Sequence, residues 1–588
     1  MSRIQSIDTD QAADNYLFRA SASDFSKIPG EPIAYWLGEK TLSLFDKYPP
    51  LGTLTNPRVG LLTSDNDRFL RYFWEVEASN YCLTAKTDEE AALSSKRWFP
   101  HNKGGGFRKW SGNYDLLVDW ENYGERIKAT VLRKYPYLKG NPNFVVHDDG
   151  YYFRPCITWS EIGTGPLSFR ILPNGFTSNI KGMCCYERPG ATLQQLLLLC
   201  NSKIVSYIAE ALNPTVGFGI NNFKSIPAAM PPSDWAGKCA EVLINSSNTD
   251  WDSYETSWNF KEHPLCSSDV HHELLSVTYQ KLRAHWRETT LTMHRLEEEI
   301  NRTFIESNNL GDELTPDVPL EEITLTCNPY YRYGNNKSEE ELESLLLADT
   351  MRELVSYAVG CMFGRYALEE PGLILANQGD IIKDYLKQIP EPSFPADDDN
   401  VIPMLDGDWF TDDITERFRE FLRIAFGEEH YGENLRFVEQ ALGKDIRKYF
   451  LKDFYNDHVR RYKKRPIYWL FSSPKGSFNA LIYMHRYQPH TVGTVLEYLR
   501  DFKDEKLKAR KNHLEALSIS AGASQGEKTK ALKEIEKINK TLAELDDYER
   551  DVLYPLATEQ VEIDLDDGVK TNYPKFGEAL KKITGLSG

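Results

Sequence analysis

Three consecutive glycines, Gly104, Gly105 and Gly106, stand between Lys103 and the pair Arg108 and Lys109, and aromatic rings (Trp98, Phe99, Phe107, Trp110) interleave with those cations. Glycine lets a backbone approach a ligand closely, because no Cβ intervenes. Cations beside exposed N–H groups suit phosphate, and rings beside cations suit bases or sugars. From Lys96 to Lys139 ten Lys/Arg face four acids, in a chain whose formal net charge is -18. A basic island in an acidic protein marks a partner-facing surface, and here a polyanion. An ordinary Gly-rich hairpin loop with solvated Lys and Arg satisfies the same residues.

A second constellation lies upstream. Thr63, Asn66 and Arg68 place a hydroxyl, an amide and a guanidinium around one turn. Asn and Arg can make paired hydrogen bonds to base edges, and Arg also grips phosphate. The plainer reading is an Asx-turn that caps the following helix. On the nucleic-acid reading, Lys103, Arg108, Lys109, Arg126 and Lys128 contact phosphate. Base-edge readers are chosen among Asn66, Arg68, Asn179, Asn221 and Asn222, with Lys181 and Lys224 beside them.

The elements that must hold these residues change character along the chain. Residues 1–58 read as a lead-in, with a Pro-Gly-Glu-Pro turn before a short helix. Residues 59–257 read as a mixed α/β module. Strand-like runs at Val59, Phe144, Tyr151, Ile157 and Leu167 are separated by Gly/Pro/Asn turns. One amphipathic helix spans 192–212, and a last strand follows near Lys224. Residues 258–490 are mainly helical, with a β-hairpin turning at Pro474–Gly476. Residues 491–588 carry two leucine-rich seams either side of Ser518–Gly526, an antiparallel helical hairpin. The fold class is α+β.

At 588 residues the chain exceeds one core. No apolar run approaches a membrane span. Nine cysteines without a C-x-x-C pair argue against disulfides and a thiolate zinc site, which fits a reducing cytoplasm. Net acidity forbids indiscriminate coating of nucleic acid and permits a localised groove. Catalytic chemistry is scarce. Thr326-Cys-Asn-Pro-Tyr-Tyr is one residue away from the Asn-Pro-Pro-Tyr signature of amino-group methyltransferases, but Tyr330 stands at the second proline and no glycine-rich cofactor loop lies upstream. Gly360-Cys-Met-Phe-Gly lacks a phosphate-loop lysine and reads as close packing. His271-His-Glu lacks the i,i+4 spacing of a helical metal pair. No catalytic, metal or cofactor residue is assigned.

Several long stretches taken together resemble one family. They are Phe25-Ser-Lys-Ile-Pro-Gly-Glu-Pro-Ile-Ala-Tyr-Trp, Gly60-Leu-Leu-Thr-Ser-Asp-Asn, and Arg97-Trp-Phe-Pro-His-Asn-Lys-Gly-Gly-Gly-Phe-Arg-Lys-Trp. Leu199-Cys-Asn-Ser-Lys, Leu212-Asn-Pro-Thr, Arg465-Pro-Ile-Tyr-Trp-Leu-Phe-Ser-Ser-Pro-Lys-Gly and Ile563-Asp-Leu-Asp-Asp-Gly-Val-Lys join them. The family is PglX, the large adenine-specific DNA methyltransferase of BREX type 1 phage-defence systems, and the resemblance covers nearly the whole chain. It implies the C-terminal half: a target-recognition region, then a helical region. The S-adenosylmethionine site and the Asn-Pro-Pro motif belong to the other half, so this chain alone is expected not to transfer methyl groups. The implied partners are double-stranded DNA and the methyltransferase half. A rival reading is a protein scaffold that docks other BREX components or a phage DNA-mimic inhibitor.

Overall fold

The computed structural model describes residues 26–163, 165–213 and 217–586. Residues 1–25 of the lead-in read from the sequence (1–58), Thr164 in the Gly-Thr-Gly-Pro turn and the Pro214–Val216 stretch lie outside the described residues.

Two four-stranded sheets form the N-terminal part. One runs in the order β1 (Thr55–Arg58), β8 (Gly182–Glu187), β5 (Cys156–Ser160), β6 (Phe169–Leu172), all antiparallel. The other runs β2 (Leu70–Tyr72), β4 (Leu116–Asp119), β3 (Trp98–Asn102), β7 (Thr177–Ser178). Here β3 and β7 are parallel, with His101 opposite Thr177. Every residue of β3 is buried, as expected of a strand covered on both faces. A buried amide ties the sheets together: Asn102 Nδ2 on β3 donates to Thr158 Oγ1 (2.6 Å) on β5 and to the Gly182 carbonyl (3.0 Å) on β8.

Short helices carry the surface between the strands. They are α1 (Asn66–Phe69), α2 (Glu121–Lys134), α3 (Asn143–Val146), α4 (Leu193–Cys200), α5 (Lys203–Leu212) and α6 (Ile220–Lys224). Five expectations need correction here. The run from Val59 is not a strand and pairs only through an isolated bridge at Leu61. Phe144–His147 is a helical turn and Tyr151–Arg154 is loop, and the segment ending at Lys224 is helix where a strand was expected. The single helix over 192–212 is two. Asn201 leaves the helix to bond both backbone groups of Phe169 (2.9 and 3.0 Å), and Ser202 caps the next turn at Val205.

Helices then dominate: α7 (Ser233–Asp252), α8 (Leu275–Ser307) and α9 (Glu339–Met362) pack across the sheets. Gly360 in α9 is a packing glycine, because a Cβ there would lie 2.5 Å from the Tyr366 ring. A three-stranded sheet follows, with β9 (Ile402–Pro403), β10 (Tyr468–Ser472) and β11 (Asn479–Tyr483) in the order β10-β11-β9. The expected hairpin at Pro474–Gly476 joins β10 to β11. The helical hairpin is α10 (Lys508–Ile519) and α11 (Gln525–Tyr548), opened by a Ser524/Glu527 capping box and bridged by Arg510–Glu534 (2.8 Å). One hydrophobic core runs from Leu44 to Leu586, so the end of the chain packs back against the rest. No helix among the described residues is long and apolar enough to cross a membrane.

Candidate nucleic-acid interface

Gly105 and Gly106 of the glycine loop are exposed, but the loop is tied down by its own hydrogen bonds. Gly104 and Gly105 have φ of +85° and +154°, which favours glycine. Their N–H groups are already used: Gly104 donates to Asn102 Oδ1 (3.2 Å) and Gly105 to Ser160 Oγ (3.0 Å). The Gly106 carbonyl accepts from Asn113 Nδ2 (3.1 Å). A 560 Å³ groove beside Gly105 and Gly106 is rimmed by Glu161 and Glu210, the wrong sign for phosphate.

The two cations after the glycines are structural rivets, which corrects their expected exposure. Arg108 is 2% exposed and pairs with Asp250 of α7 at 2.9 Å. Its remaining donors reach the Ser111 carbonyl (2.8 Å), the Ser247 carbonyl (3.1 Å) and Thr326 Oγ1 (3.1 Å). Lys109 is buried against Glu297 of α8 (2.7 Å), and the other Glu297 oxygen accepts from Trp110 Nε1 (2.7 Å). Burying such charges costs several kcal/mol unless partners and hydrogen bonds compensate, and here they do. Neither guanidinium nor ammonium is free to meet a ligand.

The other expected contacts divide in the same way. Arg126 pairs with Asp119 (3.0 Å), Lys128 with Asp148 (2.6 Å) and Lys181 with Glu161. Asn179 is buried, with its amide on the Leu61 carbonyl (3.2 Å) and its oxygen on the Lys181 N–H (3.1 Å). Asn222 caps α6 through Gly219 (3.0 Å) and holds the Leu212 carbonyl (2.8 Å). Asn221 and Lys224 are exposed on α6, and nothing in the hydrogen bonding of that helix connects them to the turn at Thr63. The buried Thr63 donates to Asn66 Oδ1 (2.6 Å), and Asp65 caps Arg68 N–H (3.2 Å), so the Asx cap expected of this turn is present. Asn66 and Arg68 are exposed, and Arg68 has no carboxylate partner among the described residues.

That turn sits on a surface that does present free charge. Lys134, at the end of α2, donates to the Ser64 carbonyl (2.8 Å), and Leu62 N–H donates to the Val145 carbonyl (3.1 Å) in α3. The turn, the tip of α2 and α3 are therefore one patch. Arg133, Lys134, Lys139 and Arg68 are exposed there, and none of the four forms an ion pair among the described residues. Phe144 (75% exposed) and Tyr137 (68% exposed) project beside them. Lys103 is also exposed, on a segment that adjoins this patch. Its neighbour Asn102 accepts Asn179 N–H (2.8 Å), and Ser178 accepts Leu61 N–H (2.7 Å), which lays the three segments side by side. Burial, aided by the nearby Lys103 charge, holds His101 down to about 3, so this ring stays neutral. Arg133, Lys134, Lys139, Tyr137 and Phe144 were missing from the expected contacts. The signal was legible: Arg133-Lys-Tyr-Pro-Tyr-Leu-Lys-Gly mixes cations and rings and contains no acid.

The Asn328-Pro-Tyr-Tyr segment is a buried helix cap. Asn328 Nδ2 donates to the Leu320 and Ile323 carbonyls (both 2.8 Å), and its oxygen accepts Tyr330 N–H (3.2 Å). Both N–H donors of that amide are committed within the fold, its oxygen is engaged by Tyr330, and at 1% exposure no base reaches it, so this segment does not fit a methyl-transfer centre with S-adenosylmethionine.

Two curated adenine-specific methyltransferases are similar to this chain over nearly all of its length. The chain is 34% identical over 594 residues to the adenine-specific methyltransferase PglX of Lacticaseibacillus casei (strain Zhang), covering 97% of this chain and 46% of that protein. Against the adenine-specific methyltransferase BrxX of Escherichia coli O9:H4 (strain HS) it is 33% identical over 588 residues, covering 96% of this chain and 46% of that protein. The chain is homologous to these adenine-specific methyltransferases along nearly its whole length and spans about half the length of the curated relatives it matches. No family model matches it.

Proposed function

We propose that this chain is the DNA-reading part of a BREX-type adenine-specific DNA methyltransferase, and that residues 59–257 hold the reading surface. One observation carries the reading: four exposed cations on one patch, Arg68, Arg133, Lys134 and Lys139, together with exposed Lys103 on an adjoining segment, are left without a carboxylate among the described residues, in a protein whose net charge is -18. Phosphates would neutralise them and position the duplex, while Asn66 and Arg68 reach base edges. Methyl transfer from S-adenosylmethionine to adenine belongs, on this reading, to the other half of the family protein. A polyanionic protein that imitates phosphate spacing would compete for the same edge.

The test is the quadruple change Arg68→Ala, Lys103→Ala, Arg133→Ala and Lys139→Ala. Duplex affinity should fall for every sequence. The slope of log K against log salt should shrink by roughly 0.9 per lost phosphate contact, about 3 to 4 in all. Fluorescence polarisation across a salt series measures both. An unchanged slope would falsify the assignment of this edge.

A further inference from the structure

The motif Ile563-Asp-Leu-Asp-Asp-Gly-Val-Lys lies some five hundred residues from the turn at Thr63–Arg68, yet its backbone is bonded to that turn. Arg71 joins them. Its Nη1 donates to the Asp67 and Leu70 carbonyls (2.6 and 2.8 Å), on the reading side. Its Nε and Nη2 donate to the Asp566 and Asp567 carbonyls (3.0 and 2.9 Å), on the C-terminal side. Lys570 then pairs with Asp67 itself (2.7 Å), which holds that carboxyl below its usual range. Gly568 has φ +77°, and a Cβ there would lie 2.5 Å from Arg71 Nε, so only glycine permits the approach. The Asp566 carboxylate meanwhile accepts from Trp98 Nε1 (2.6 Å), Arg97 Nη1 (2.8 Å) and Asn80 Nδ2 (2.9 Å), which fixes the motif to the head of β3. On its far side the motif is held by the helical region: Gln378 bonds Ile563 and Leu565 (3.1 and 2.7 Å), and Tyr487 OH bonds the Val561 carbonyl (2.7 Å).

We propose that residues 563–570 are a latch that sets the aim of the reading turn, so that the helical region controls base discrimination through Arg71 and Asp67. The inference rests on the DNA-reading assignment above. Asp566, Gly568, Lys570 and Arg71 are positioning residues: they face the back of the turn and touch no base. A latch of this kind governs which sequence is bound, while phosphate contacts govern how tightly any sequence is bound.

Two variants of the full chain test it, Gly568→Ala and the milder Lys570→Ala, whose side chain is exposed. Each is compared with the unchanged chain by selection from a randomised duplex pool, bulk-duplex polarisation and amide hydrogen exchange. For Gly568→Ala, discrimination between selected and bulk duplex should fall by roughly tenfold, the scale of one misread base pair, with bulk affinity and salt slope nearly constant. The amides of residues 66–72 should exchange faster. Lys570→Ala should move both readouts in the same direction by less, and it carries the test if Gly568→Ala does not fold. Unchanged exchange at 66–72 together with undiminished discrimination overturns the latch while leaving DNA reading intact. A parent chain that binds no duplex removes the reading surface and the latch together.

Discussion

Two short segments of this protein are equally rich in cations and rings and meet opposite fates. Lys103-Gly-Gly-Gly-Phe-Arg-Lys-Trp turns two of its three cations into the core, where Asp250 and Glu297 arrive from 142 and 188 residues away. Arg133-Lys-Tyr-Pro-Tyr-Leu-Lys leaves its cations in solvent, because no acid is brought to them. The local composition is the same; the difference is what the distant chain supplies. A cation becomes structural when the fold delivers a carboxylate and removes water, and it stays available when neither happens.

The largest way to break this contrast is to unpair the inner set. Glu297→Ala takes the partner from Trp110 and leaves the buried Lys109 with Glu322, at 3.5 Å and partly exposed, so unfolding stability should drop by about 3 kcal/mol, the low end for a broken buried pair. A urea titration measures it. A loss below about 1 kcal/mol, the range of an exposed pair, would place Lys109 with the outer cations.

Acid sharpens the contrast on a smaller scale. Burial, with nearby cations, holds His101, His263 and His485 down to about 3 and keeps His458 well below the usual histidine range. A depressed histidine binds fewer protons folded than unfolded, so its contribution is complete above about 6.5 and is lost as pH falls towards 3. Buried carboxyls, Asp88 and Asp397 among them at about 6 and about 7, are pushed up by burial and act in the opposite direction over part of that window, so the histidine contribution is read as a difference between two proteins. His101→Gln, in the strand that leads to Lys103, should make the slope of stability against pH between 6.5 and 4 less positive by up to about one proton, ~1.4 kcal/mol per pH unit. Parallel curves for the two proteins would mean that His101 is protonated in the fold.

Much of this arrangement was legible from local pattern. The fold class, the β10–β11 turn, the helical hairpin and the packing role of Gly360 follow from periodicity, turn residues and small-residue spacing, which are local physics. The burial of Arg108 and Lys109, after the glycine loop, was hidden for a non-local reason. Nothing near Arg108 in sequence announces Asp250, and Asn179 looks like a free amide until the Leu61 carbonyl lies beside it. The split at Asn201 was hidden in the same way, since its partner is the edge of β6. The outer patch could have been found, because a run free of acids has no local partner to lose its charge to.

The smallest test compares a paired cation with a free one. Lys128 is mostly covered, bonded to Asp148 at 2.6 Å and placed 5.5 Å from the centre of the Trp120 ring. Lys139 is exposed and forms no ion pair among the described residues. Lys128→Ala should cost up to about 1 kcal/mol of stability, because the pair is only partly screened by solvent. It should leave the salt dependence of duplex binding alone. Lys139→Ala should do the reverse, with stability within about 0.5 kcal/mol and the salt slope lowered by roughly 0.9. If the two variants trade outcomes, partnering by a carboxylate does not decide which cations of this surface serve the duplex, and the distinction between inner and outer sets fails at its edge.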